Sequence, residues 1–396
     1  MRPLFTRTAL AALALAACTA AQAQPKDLVI GFATARSGWL EAYDTPARNA
    51  AMIRINEINA AGGLLGRKLR VVESDSKTDR AQSAKAGLDV LDQGADLVVT
   101  SCDYDFGAPA AIEAQKKGKV AFFLCAEDIK AGLQGVGKMA FTGSLLNAVQ
   151  GATVIDWAYN RRKVRSAYVL EDTAIEYNKG ICKGFAAQAK TLPELKIVGQ
   201  DTFKGGDASI AAQVSRIKAL PTPPDAIMLC SVIPAAASAV KQLRAAGINS
   251  LILNGSAVDG SYWLDSVPGL SNFVVPVQGS IYGDDPNPKV EAFNKTYATQ
   301  YGGRPSSTYV YPGYILIDLW AKAVERAKSA DGAPVVAQLE KMNAEPTIFG
   351  PRSFSPALHI QNNIPLLISE VKNGKPGIVD KWQLAKPFPV AELAKR

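Results

Sequence analysis

The chain has 396 residues, 48% of them hydrophobic and 20% charged, which is too apolar for a disordered chain and enough to bury a large core. At the usual size per domain, that length predicts two domains or one domain built of two lobes. A single histidine, His359, weighs against a Ser-His-Asp triad and against a histidine-rich metal site, and it reads as a structural or surface residue. The 44 basic and 36 acidic residues give +8, falling to near +6 if a leader containing Arg2 and Arg7 is removed. The dense basic run, Arg161-Arg162-Lys163 with Arg165, has no interleaved aromatics and reads as a solvated helix end, not a nucleic-acid patch.

Residues 1–24 carry two arginines, an apolar run from Ala9 to Ala17, and small residues ending in Ala21-Gln22-Ala23. This is the pattern of a secretory signal, with an apolar run too short to span a bilayer. Cleavage before Gln24 would release a soluble periplasmic protein, which is the expectation. Leu15-Ala16-Ala17-Cys18 offers the alternative of a lipoprotein anchored through Cys18. Of the remaining cysteines, Cys102, Cys125, Cys182 and Cys230, none has zinc-site or Cys-x-x-Cys spacing. Buried free thiols are expected, with a Cys102–Cys125 bridge as the alternative.

Past Pro25 the chain alternates strand and helix. Strand Leu28 to Phe32 leads to a helix from Pro46 to Ala61, ended by Gly62-Gly63, and then to strand Leu69 to Glu73, helix Asp79 to Gln93, strand Leu97 to Thr100, a helix from about Ala108, and strand Val120 to Cys125. A second series runs from helix Asn147 to Tyr159 through strands near 167–170, 196–198, 226–230 and 251–253, with helices between them. Short apolar strands separated by helices predict parallel sheets covered on both faces. Residues 254–288 break the alternation. Helices near 288–301, 309–328 and 334–343 follow, and Asn373-Gly374 between two alternating runs predicts a hairpin.

Open parallel sheets bind ligands at the carboxyl ends of their strands, so function is sought in the loops there. The first loop, Ala33 to Trp39, lacks Gly-x-Gly-x-x-Gly, and the chain has no Walker sequence and no Gly-x-Ser-x-Gly elbow. The loops carry aromatics beside acids and hydroxyls instead. These are Trp39, Tyr43 and Asp44 in the first, Asp103-Tyr104-Asp105 in the third, Ala126-Glu127-Asp128 in the fourth, then Asp172 and Tyr177, Ser231, Ser256, Asp259 and Trp263. Aromatic walls with a few fixed polar groups are the usual form of a small-molecule cleft. No catalytic residue, metal or cofactor is expected.

Ser37-Gly38 through Tyr43, together with Asn59-Ala60-Ala61-Gly62-Gly63-Leu64-Leu65-Gly66-Arg67, resembles the opening of type I periplasmic binding proteins of the leucine/isoleucine/valine-binding family. The likeness continues through Tyr177-Asn178-Lys179-Gly180, Gln242 to Gly247 and Gly350-Pro351. It implies an α/β fold of two Rossmann-like lobes joined by a three-segment hinge, the crossings lying near 141–145, 273–281 and 350–354. Lobe 1 would hold residues 25–142 and 278–350, and lobe 2 residues 143–277 and 351–396. It further implies a monomeric solute receptor that serves an inner-membrane ABC permease and its ATPase; a receptor for branched-chain or other amino acids, or a sensory protein of the same fold, is the alternative.

The family's site carries over unevenly. Tyr43, Ala126 and Tyr177 match, but Tyr104 stands where a serine is expected, Glu127 where threonine is usual, and Ser256 where an acid would hold an α-ammonium, with Asp259 close by. Carboxylates at Asp103 and Asp105 would repel an anion, unless one of them simply caps the helix that begins near Gly107. The ligand expected is therefore not an ordinary branched-chain amino acid but a cationic or polyhydroxylated molecule with an apolar or aromatic part. Asp103, Asp105 and Glu127 would accept its hydrogen bonds, Ser231 would add a hydroxyl, and Tyr43, Tyr104, Tyr177 and Trp263 would pack against it.

Overall fold

The computed structural model of the chain describes residues 26–207 and 209–394; the export signal read at residues 1–24 lies outside them. The first series is β1 (Leu28–Thr34), α1 (Glu41–Ala60), β2 (Leu69–Asp75), α2 (Arg80–Asp92), β3 (Leu97–Thr100), α3 (Tyr104–Lys116), β4 (Val120–Phe123) and β5 (Ala140–Thr142). The second is α4 (Asn147–Arg162), β6 (Ser166–Asp172), α5 (Glu176–Ala189), β7 (Lys196–Phe203), α6 (Ala211–Lys218), β8 (Ala226–Cys230), α7 (Ala235–Ala245), β9 (Leu251–Leu253) and β10 (Phe273–Val277). The chain ends with α8 (Pro288–Tyr301), α9 (Val310–Ala327), α10 (Gly332–Leu339), β11 (Leu366–Lys372), β12 (Lys375–Trp382) and α11 (Ala391–Ala394).

Two sheets result. The first is all parallel in the order β2-β1-β3-β4-β5; the second has the order β12-β11-β10-β9-β8-β6-β7, parallel except at β11 and β12. Every residue of β1, β3, β4 and β8 is buried, as strands covered by helices on both faces require. The edge strands β7 and β12 expose much of their length. Helices α8 and α9 return to pack on α1, and α10 reaches β4, so this late segment covers the first sheet.

Several sequence expectations need correction. Helix α1 begins at Glu41, ahead of Pro46, so Tyr43 and Asp44 lie in its first turn and not in the loop. Helix α3 begins at Tyr104, ahead of Gly107. Part of the expected second crossing is strand β10, paired parallel to β9 and antiparallel to β11. The four cysteines are not free thiols: Cys102 joins Cys125 at the ends of adjacent strands β3 and β4, and Cys182 on α5 joins Cys230 at the end of β8. His359 is buried and structural, its ring stacked on Phe141 and its Nδ1 2.9 Å from the Ala140 carbonyl oxygen. Arg161 and Arg162 close α4 and pair with Asp380 and Glu370 of the terminal hairpin.

Where the chain passes between the sheets, Arg352 ties the passages together. Its guanidinium, only 1% exposed, donates to the carbonyls of Gly143 at 2.9 Å and Pro351 at 3.0 Å, and to Gln278 Oε1 at 3.1 Å. One buried cation therefore bridges all three passages, and its neighbours are neutral acceptors. Burial pushes its pKa down to about 10.

Candidate ligand cleft

The carboxyl ends of the two sets of parallel strands face each other across a cleft. On the first-sheet side, Asp44 fixes two loops at once. Its carboxylate accepts from the Ala35 N–H at 2.7 Å after β1 and from the Cys102 N–H at 2.8 Å after β3, and burial raises its pKa to about 7. The Cys102–Cys125 bridge then joins the loops after β3 and β4. Opposite, Cys182–Cys230 pins the loop after β8 to α5. At Gly255, after β9, a Cβ atom would lie 2.2 Å from Ile181 Cδ1 and 2.6 Å from the Tyr177 hydroxyl, so any larger residue would have to push those side-chain ends of α5 aside.

Between these walls is a small cavity of about 20 Å³, lined by Trp39, Leu40, Tyr43, Cys102, Asp103 and Tyr309 on one side and by Ile175, Tyr177, Val232 and Ala257 on the other. Most of this lining is apolar or aromatic. Four of the loop residues named from sequence, Trp39, Tyr43, Asp103 and Tyr177, line it. The Tyr43 hydroxyl crosses the cleft, donating to the Ala257 carbonyl and accepting from the Ile233 N–H, each at 3.0 Å. The Tyr177 hydroxyl accepts from the Ala257 N–H at 3.1 Å. Burial raises both phenols well above their ordinary value, so both stay neutral.

Asp103 is the one carboxyl group in the lining. It is the N-cap of α3, with Oδ1 accepting from the Phe106 N–H at 3.3 Å, and it is 5% exposed. The helix-capping role weighed against ligand contact is thus real, yet the same side chain borders the cavity. Burial, and then the neighbouring Asp105 charge, push its pKa up to about 8. A helix N-terminus attracts anions through its free N–H groups. Here the protein's own carboxyl group takes that place.

The other expected residues lie around the cavity. Asp105 receives Arg80 at 3.0 Å and the Glu176 N–H at 2.9 Å, spanning the cleft from α3 to the first turn of α5. Glu127, 2% exposed, sits behind the wall and accepts from Tyr309 at 2.8 Å, Ser256 at 2.9 Å and Gln278 at 3.3 Å; burial pushes it up to about 7. Ser231 donates to Asp172 at 2.8 Å, and Asp259 accepts from Tyr282 and from the Thr308 N–H. Ala126 is buried, its carbonyl accepting from Thr142, and Tyr104 faces Lys130, whose ammonium lies 5.9 Å from the ring centroid. Trp263 is in neither wall: its indole donates to the Val258 carbonyl and packs on Phe273 in the core of the second sheet. Leu40, Ile175, Val232, Ala257 and Tyr309 were not read from sequence, because apolar residues in loops and a tyrosine far along the chain carry no local sign of meeting at one cavity.

Two α/β lobes, each offering its strand ends to a shared cleft and linked by three passages, define a two-lobed solute trap. The match to the periplasmic binding protein family model spans residues 27–376, and the chain belongs to that family. It is 24% identical over 353 residues to a Leu/Ile/Val-binding protein of Rhizobium johnstonii, covering 87% of this chain and 91% of that one. It is similar to the leucine-, isoleucine-, valine-, threonine- and alanine-binding protein of Pseudomonas aeruginosa, at 23% over 334 residues, with 83% and 86% covered. Among solved structures it resembles the isoleucine complex of the branched-chain amino acid transporter substrate-binding protein LivJ from Streptococcus pneumoniae, with TM-score 0.78, 25% identity and 90% and 99% of the two chains covered. The fold is shared with a benzoate-bound solute-binding protein of an ABC transporter from R. palustris, with TM-score 0.74, 17% identity and 91% and 98% covered.

Proposed function

We propose that this protein is the periplasmic receptor of a branched-chain-amino-acid-type ABC importer, and that its solute carries a hydrogen-bond donor or a positive charge on an apolar or aromatic body. The moving bodies are residues 25–142 with 278–350 and residues 143–277 with 351–396, closing as monomers about the passages held by Arg352. The receptor hands its solute unchanged to the permease and ATPase subunits.

Asp103 carries the reading of the ligand. A solute carboxylate placed at the N-terminus of α3 would meet the Asp103 carboxyl group already there. Once Asp103 is ionised, at and above its raised value of about 8, two unit charges 4 Å apart repel by about 4 kcal/mol at an effective dielectric of 20, half of what a micromolar ligand gains in total. An ammonium in the same place favours the ionised form and gains a charge-assisted hydrogen bond of about 1.5 to 3 kcal/mol, and a hydroxyl gains about 0.5 to 1.5 kcal/mol with the neutral acid. The isoleucine complex of one structural neighbour and the benzoate complex of another support a body of that size on this fold. Purification from the native host without dialysis, followed by mass spectrometry of what is released, tests the assignment. A neutral or cationic donor-bearing solute is expected; recovery of leucine, isoleucine, valine or an aromatic carboxylate would overturn it.

A further inference from the structure

The inner cavity has free room of about 20 Å³, space for roughly one water-sized group and far below the about 300 to 1,000 Å³ usual for ligand sites, so the body of a solute must lie beyond it. Trp39, Ile175 and Val232 also line a second, adjoining outer space of about 380 Å³, within that range. Trp39 stands between the two, edge-on to Tyr43 of the inner cavity at 6.0 Å and to Phe106 of the outer space at 5.6 Å. The outer lining continues with Ile233, Pro234 and Ala235. Its two charged groups are already engaged: Arg80 pairs with Asp105 and lies 5.2 Å over the Phe106 ring, and Asp172 accepts from Ser231. Apolar surface held open beside a ligand cavity, with no charge left to recognise a second polar end, suits a hydrocarbon chain.

We propose that the natural solute is elongated, with its donor-bearing end at Asp103 and an apolar chain passing Trp39, Ile175 and Val232 into the outer chamber. This rests on the reading of Asp103 as the head-group acceptor.

The test is calorimetric titration of the mature protein with n-alkylamines from propyl to octyl, with n-alkanoates of the same lengths in parallel. Each methylene that enters the outer chamber should tighten amine binding by up to about fourfold, the worth of one buried methylene. In Ala174→Trp, where an exposed residue of the outer wall is enlarged to fill the chamber, the gain should vanish for the longer amines. Amine affinity that stops rising at three or four carbons, or a gain that survives in Ala174→Trp, would overturn the proposal. Length-dependent tightening of the alkanoates alone would keep the chain site and reject Asp103 as a donor-selecting head group. Binding of neither series would reject both.

Discussion

Asp103 combines two roles that pull its charge in opposite directions. As the cap of α3 it accepts from a backbone N–H, and as a buried wall of the cavity it is pushed up to about 8, so at neutral pH it is largely protonated. A cationic solute selects the ionised form. Its observed affinity should therefore rise with pH, by up to about tenfold per unit, and level off near pH 8. Asparagine also caps helices well, so Asp103→Asn should leave the fold nearly as stable while removing that pH dependence and weakening amine binding by roughly tenfold to a hundredfold. A pH series of titrations on the two proteins measures both effects. Asp103 was legible from sequence as a loop acid, and capping and ligand contact were the two readings open to it. Capping holds, and the same carboxyl group also borders the cavity, since one side chain can face a helix end and a cavity together. Asp105 and Glu127 read the same way but are held by Arg80, Glu176, Ser256 and Tyr309, partners from distant parts of the chain that no spacing reveals.

Helix α5 begins after Ile175, which offers no capping side chain, and it is Asp105 of α3, across the cleft, that accepts from its Glu176 N–H. One lobe thus caps a helix of the other, and Lys130 reinforces the contact by pairing with Glu176 at 2.6 Å. An acid at a helix N-terminus is worth about 0.3 to 1 kcal/mol when partly exposed. Asp105→Ala should accordingly speed solute release by roughly twofold to fivefold with little change in the association rate, as stopped-flow measurement would show. At this scale much of the fold was legible, because Leu97 to Thr100 and Ala226 to Cys230 are apolar runs of the kind parallel strands require. Strand β10 was hidden by Pro276, its fourth residue of five. The cysteine pairs depend on tertiary approach: Cys102 and Cys125 have Cα atoms 4.4 Å apart only because β3 and β4 are neighbours, and Cys182 meets Cys230 only because α5 lies over β8.

Taken whole, the molecule buries acids at the surface where its lobes meet. Asp44 and Glu127 are raised to about 7 and Asp103 to about 8, so the folded chain keeps protons that the unfolded chain releases above pH 4. Their contribution to stability is fullest below about pH 4 and is lost as pH rises through 7 and 8. His359, shifted downward by burial, opposes this between its lowered folded value and 6.5, but it is one group against three. The thermal midpoint of the solute-free protein should fall from pH 5 to pH 8, and Asp103→Asn combined with Glu127→Gln should flatten that decline in a pH series of scanning calorimetry. Glu127 is also one amide away from the passages, since Gln278 donates to it and accepts from Arg352, so charge at the cleft and geometry at the hinge are joined through a single side chain. The central claim is that this trap rejects the carboxylate its relatives' amino acids carry. Isopentylamine is leucine without its carboxylate, and titrating both compounds into the mature protein at pH 8 isolates that one group. Isopentylamine binding at least about tenfold tighter than leucine is predicted; leucine binding the tighter of the two would contradict the account.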